Sequence, residues 1–295
     1  MRLTLLLVLL LCTCARALNA QAAGYDFDAP QLVGKLPAEL DEISGLGLHP
    51  TDGDLYVVQD ELGKVYRLDI RNARIADALT FWKDGDYEGV EVVGDDIWVV
   101  KNTGTLYRIS QPGTPAQTVA KFNTKLTGDN DVEGLAYDRL RNRLLLACKR
   151  DAKDDGNDRD GRYVYAFDLG TETLSDKPVY AIAREAVTRF LASCPKTDKH
   201  EKLCSFFLGR DEFDLAPSAI AIHPITGELF ITSSVGKVLM ILNPNGSIVH
   251  LQKLDKDWFP QPEGLAFMPD GTLFISTEKK KDVPARVYRF AYRAR

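Results

Sequence analysis

Five positions in this chain recur at a fixed place in a repeated pattern, and three of them are carboxylates. Ser44, Glu88, Glu133, Ser218 and Glu263 follow one another at spacings of 44, 45, 85 and 45 residues. Each stands in a short motif: EISGLGL, YEGVEV, VEGLAY, PSAIAI or PEGLAF. Further along each repeat, just past an apolar run (LYVV, IWVV, LLLA, LFIT, LFIS), comes a second set: Asp60, Asn102, Lys149, Ser234 and Glu278. Carboxylates brought together repel unless a cation, a lysine or protons compensate them. A hard cation suits such a set, because calcium takes about six to eight oxygens from carboxylates, carbonyls and water. Glu88, Glu133 and Glu263 would supply the charge, and Asp60 and Glu278 would complete the shell. Ser44, Asn102, Lys149, Ser218 and Ser234 would face a ligand, Lys149 by neutralising a carboxylate or holding an anionic group beside the metal. A plainer reading stays open: the repeated Glu-Gly accepts backbone N–H groups at the start of each inner strand.

The elements that must position these residues follow from the period. Repeats of this length imply stacked or radial units. Each copy holds an inner strand, the apolar run and a third strand such as KVYRLDI, TLYRIS, YVYAFDL or KVLMIL. Four short strands per unit describe a propeller blade. The expectation is an all-β protein, a β-propeller of five blades, with six as the alternative because of the 85-residue gap. That gap contains KPVYAIA, read as an outer strand, then EAVTRFLAS, read as a helix, then the charged PKTDKHEK. It shows no pair of alternating apolar strands. Residues 25–36 would supply the missing outer strand of the last blade. Pairing the chain's two ends closes the ring and hides its edges. In this geometry the loop entering the innermost strand and the loop after the second strand share one face, so both polar sets surround the mouth of the central channel.

Residues 1–22 read as an export signal, with Arg2, an apolar run from Leu3 to Leu11 and a small-residue cleavage pattern at Ala20-x-Ala22. The run is too short to span a bilayer comfortably. Export to the periplasm or beyond is expected, with lipid anchoring through Cys14 a minor alternative. Residues 23–295 then form a single propeller domain with a helical insertion at about 184–214. In an oxidising compartment Cys194 and Cys204, ten residues apart in that insertion, would form a disulfide. Cys148 lies in an apolar strand and reads as a packing residue. The formal net charge of −5 and the absence of a dense basic tract speak against nucleic acid as a partner. A monomer is expected.

The four histidines do not assemble a zinc site. His49 and His223 both precede proline in the turn after the innermost strand, on the opposite face. The acidic stretch DAKDDGNDRDG at 151–161 lacks the glutamate that a helix–loop–helix calcium loop requires, and reads as a solvated loop or a weak cation site. Trp82 and Trp258-Phe259 would rim the glutamate face or pack between blades.

ELDEISGL, GDYEGVE, NDVEGLAYD, LLLACK, PSAIAIHPITGELFI and QPEGLAFMPDGTLFIS together resemble the bacterial SdiA-regulated, YjiK-like family, over about residues 35–291. The resemblance implies an exported or envelope-associated β-propeller, with calcium in some members, and carries over to Glu88, Glu133, Glu263, Ser44 and Ser218. A looser similarity extends to phytase-like and gluconolactonase-like propellers. Two functions therefore stand side by side. One is a calcium-binding module for a small molecule or an envelope protein. The other is a calcium-dependent hydrolase of phosphoesters, esters or lactones, for which the sequence offers no nucleophile elbow and no serine paired with a base.

Overall fold

The computed structural model describes residues 23–49, 51, 53–150, 160–209 and 211–294. The chain forms an all-β propeller of five antiparallel blades. The innermost strands are Ile43–Leu48, Tyr87–Val93, Val132–Asp138, Pro217–Ile222 and Pro262–Phe267. They pair in turn with Leu55–Gln59, Asp96–Lys101, Arg143–Cys148, Leu229–Ser233 and Leu273–Thr277. The innermost strand of each blade packs beside those of its two neighbours, and the first strand meets the last. The fifth blade takes its outer strand, Gln31–Lys35, from the N-terminal side, antiparallel to Arg286–Phe290.

Both faces of each blade are covered by neighbours, which is why the second and third strands are apolar runs rather than clean alternations. Leu229–Ser233 and Val238–Leu242 are buried at every residue. The cores lie between blades: Leu55, Val57 and Tyr66 of the first pack with Phe274 and Val287 of the fifth.

Among its described residues the long gap holds no sixth blade. In the third blade the strand Gly161–Asp168 carries two short outer partners, Thr173–Leu174 and Tyr180–Ala183, the second falling within KPVYAIA. Two helices follow, α1 (Arg184–Ser193) and α2 (Asp198–Leu208). Val187 and Leu191 on α1, and Leu203 and Phe207 on α2, are buried at i, i+4 spacing, packed with Phe213 and Leu215. Thr197 caps α2, its hydroxyl accepting the His200 N–H at 3.2 Å. The charged PKTDKHEK thus opens a second helix that sequence reading did not separate from the linker, because its apolar face starts only at Leu203.

The expected bond between Cys194 and Cys204 is not formed in the structure, where both are free thiols. Each sulfur has a partner of its own. Cys194 Sγ lies 3.3 Å from the Phe190 carbonyl, and Cys204 Sγ lies 3.5 Å from His200 Nε2. They remain close enough that Cys204, after burial, raises the Cys194 pKa. No helix among the described residues is long and apolar enough to cross a membrane.

Candidate functional site at the mouth of the propeller

One backbone device places the first polar set. In every blade the ladder between the innermost and second strands shifts register around the second residue of the inner strand. Those residues are Ser44, Glu88, Glu133, Ser218 and Glu263. A bulge leaves one residue outside the ladder and re-aims its side chain. The next residue is small because the inner strands almost touch. A Cβ on Gly45 would lie 2.7 Å from Gly89 Cα, and one on Gly89 would lie 2.7 Å from Leu135 Cβ. The three glutamates accordingly line one narrow axial cavity of about 10 Å³.

The second set is placed by a repeated backbone bond. Asp60, Asn102, Lys149, Ser234 and Glu278 each follow directly on the second strand. Asp60 donates its N–H to the Glu42 carbonyl (3.4 Å), Asn102 to Asp86 (3.1 Å), Lys149 to Asp131 (2.8 Å) and Glu278 to Gln261 (3.0 Å). Each acceptor sits in the loop entering the same blade. The Asp60 and Asn102 carbonyls then accept from Tyr87 and Val132 of the next blade, at 3.0 and 2.8 Å. The two sets therefore share one face, as the repeat pattern implies.

The serines at the bulge are held by backbone. Ser218 Oγ donates to the Pro262 carbonyl at 2.6 Å and Ser44 Oγ to the Glu42 carbonyl at 3.4 Å. The glutamates instead crowd one another. Burial, then Glu133 and a hydrogen bond with Asp86, pushes Glu88 up to about 10. Burial, then Glu278 and Glu133, holds Glu263 well above the usual carboxylate range. Burial, then Asp60 and Glu42, raises Glu278 to about 8, and burial followed by Glu42 raises Asp60 to about 6. Glu133 is also raised by burial, but Lys149 opposes the shift, its Nζ lying 2.6 Å from Glu133 Oε1. Burial works against the Lys149 ammonium, yet Glu133, Asp131 and Glu263 raise its pKa overall.

Glu88 and Glu278 are thus pushed towards the neutral form at pH 7. Asn102 donates to Asp86, and Gln261 to Glu278. Two buried acceptors, Asp60 Oδ1 and Asn102 Oδ1, have no hydrogen-bond partner. Among the described residues no three histidine, cysteine, aspartate or glutamate side chains stand as a finished metal shell. The chemistry of the donors still fits a hard cation: all are oxygens, their charge is under-compensated, and two are unpartnered.

Sequence reading missed Glu91. It occupies the inner-strand position held by Gly47, Ala136, Ala221 and Ala266 in the other blades, and accepts the Tyr137 N–H at 3.2 Å. Burial raises it to about 8 against that bond. The signal was present as one glutamate in a column of small residues. His49 and His223 brace their turns, as Nδ1 of each accepts a following backbone N–H. Phe259 packs on Tyr288 and Phe290, whereas Trp82 is partly exposed beside Tyr107. Cys148 is buried and its thiol is pushed up to about 12 by burial, as a packing residue would be. Residues 151–159 of the acidic stretch lie outside the described residues. Asp160 pairs with Arg184 at 3.3 Å.

A cavity of about 750 Å³ lies away from the ring, between the N-terminal segment, the helical insertion and the outer strand of the fourth blade. Of the predicted site residues it includes only Cys194.

Fold, repeated bulge and acidic mouth agree with one further observation. Residues 22–154 match the SdiA-regulated family. That stretch covers the first two repeats and the first two strands of the third. No curated protein matches the chain. Among solved structures, the glutaminyl cyclase of Myxococcus xanthus is 13% identical, with a TM-score of 0.53 over 88% of this chain and 97% of that one. A gluconolactonase from Xanthomonas campestris is 12% identical, with a TM-score of 0.48 over 85% of this chain and 72% of that one. At 13% identity the likeness to the glutaminyl cyclase is one of fold alone.

Proposed function

We propose that this SdiA-regulated propeller is an exported binding module whose mouth takes a hard cation, calcium by preference, together with a small ligand or an envelope partner. One observation carries the reading: Asp60, Glu88, Glu133, Glu263 and Glu278 are gathered on one face with their pKa values raised by burial and by one another. Lys149 compensates only part of that charge. Asp60, Glu88 and Glu278 would hold the cation, with Asn102 adding a neutral oxygen. Glu133 stays engaged with Lys149. A bound cation would supply the positive charge for which protons now stand in, so binding displaces protons from the ring.

The leader-like pattern of residues 1–22 in the sequence supports a role outside the cytoplasm. One feature favours the hydrolase alternative: burial and the neighbouring carboxylates push Glu88 up to about 10, the direction that a general acid requires. The test is calorimetric titration of metal-stripped mature protein with calcium, beside the Glu88→Gln and Glu278→Gln variants. Saturable binding lost in both variants supports the cation reading and justifies hydrolase screens with phosphoesters and lactones. No heat and an unchanged thermal melt would overturn it.

A further inference from the structure

The helical insertion leaves a space that the propeller does not fill. Leu191 of α1 and Leu203 of α2 pack with Leu251 of the fourth blade's outer strand, Ile248–Lys253. Tyr25 and Phe27 of the N-terminal segment belong to the neighbouring apolar cluster. The cavity of about 750 Å³ opens along the seam between the two clusters. Protein interiors are ordinarily packed as tightly as organic crystals. A space of this size falls instead in the range of small-molecule pockets, about 300–1,000 Å³. The axial cavity between the glutamates, at about 10 Å³, has no such room.

Its wall is apolar and in part open. Phe27, Leu203 and Leu251 are buried, Phe190 is half-buried, and Val249, two residues from Leu251 on the same strand face, stays 36% exposed. The charged side chains that line it do not balance. Three carboxylates, Asp26, Asp28 and Asp198, stand against one ammonium, Lys199. Lys199 is spent on Asp28, its Nζ lying 2.6 Å from Oδ1, which ties α2 to the N-terminal segment. Asp26 Oδ1 accepts the Asp28 N–H at 3.1 Å. Neither Asp26 nor Asp198 joins an ion pair among the described residues. The two histidines of the lining are engaged elsewhere: His200 Nε2 lies 2.8 Å from the Leu191 carbonyl, and the His250 ring stacks on Phe27.

We propose that this cavity is a second ligand site, which takes a small amphipathic amine. An apolar or aromatic body lies against Phe27, Phe190 and Leu203, and an ammonium group meets Asp26 and Asp198. A charge is costly to bury unless it is paired, so the head group belongs at the rim, where both carboxylates are exposed. The aromatic rings add attraction wherever the cation passes over a face. A ligand with a carboxylate head would meet uncompensated negative charge there, because the one lysine is already held by Asp28. The inference does not rest on the cation reading, since the cavity lies away from the glutamate ring.

The test is calorimetric titration of mature protein, with and without calcium, against three indoles of matched shape: tryptamine, a cation; tryptophol, neutral; and indolepropionate, an anion. Saturable binding of tryptamine, at least tenfold tighter than that of indolepropionate, is expected. It should be lost in Val249→Trp, which fills the cavity, and fall to the tryptophol level in the double variant Asp26→Asn, Asp198→Asn. The exposed control Lys256→Met should keep it. All three substituted positions are exposed, so both variants should melt close to wild type. No saturable binding of tryptamine, equal or tighter binding of indolepropionate, or full binding in Val249→Trp or in the double variant overturns the proposal. Displacement of tryptamine by calcium would place the amine at the mouth and overturns it as well. If tryptamine binds while calcium gives no heat, the cation reading fails and the second site stands.

Discussion

Glu88→Gln should make the metal-free protein more stable, and increasingly so as pH rises. Glu88 has an ordinary pKa of 4.5 in the open chain and about 10 in the fold. A carboxyl whose folded pKa is raised contributes its full stability below the unfolded value, and that contribution is lost as pH climbs towards the folded value. At pH 5 wild type and variant should differ little. By pH 7 the unfolded chain has released a proton that the folded protein still holds. Each pKa unit is worth about 1.4 kcal/mol, so wild type gives up at most about 3 kcal/mol by then. Glutamine keeps the shape and the hydrogen bond to Asp86 without the titration. For a chain of this size the variant should melt roughly 5–10 °C higher at pH 7. The assay is thermal melting of chelator-treated protein from pH 5 to pH 8, with saturating calcium in a second series. Calcium should narrow or invert the gap, because only wild type offers the cation the full charge. A gap that stays constant with pH, or a wild type that gains on the variant as pH rises, would refute the reasoning.

Three other outcomes are expected. Calcium affinity should rise about tenfold or more between pH 6 and pH 8 as the Glu278 carboxyl, at about 8, and its neighbours yield their protons; calorimetry in buffers of different ionisation enthalpy would count the protons released. Lys149→Met should destabilise the fold by about 1–2 kcal/mol in urea, less than the loss of a fully buried pair because the lysine is a third exposed, and adding Glu133→Gln should restore most of it. Gly45→Ala should lower stability by about 1–3 kcal/mol, since the new Cβ would meet Gly89 Cα and Val90 N at 2.7 Å, both backbone atoms that cannot move aside.

Repetition made the fold readable. A period of about 45 residues, marked by motif, apolar run and third strand, placed every innermost strand and put Asp60, Asn102, Lys149, Ser234 and Glu278 in their structural register. The features that appear once were harder to read. The second helix of the insertion shows its apolar face only at Leu203 and Phe207, behind a charged first turn. The two thiols were paired on their spacing and an expected oxidising compartment, while in the fold Cys194 Sγ meets the Phe190 carbonyl and Cys204 Sγ meets His200. Glu91 was hidden because its strand was read by its motif and not by its column. The pairing of charge at the mouth depends on which lysines find carboxylates, and pairs such as Lys279 with Asp41 join residues 238 apart in the chain.

The bulge itself does not demand glutamate. Two of the five repeats place serine there, and both serines satisfy themselves on nearby carbonyls: Ser218 on Pro262, and Ser44 on Glu42. A serine column throughout would hold the inner strands without setting buried acids against one another. Glu88 and Glu263 instead sit where burial and like charge drive them towards the protonated state, at a cost to stability that grows with pH. Groups that weaken a fold while filling a position that another residue fills more cheaply mark sites kept for function. The same logic separates Glu133 from its neighbours. Lys149 already relieves it, so neutralising Glu133 should stabilise the metal-free protein much less than neutralising Glu88. Comparing the two glutamine variants in one melting series therefore distinguishes a ring tuned for a missing charge from a ring of equivalent structural acids.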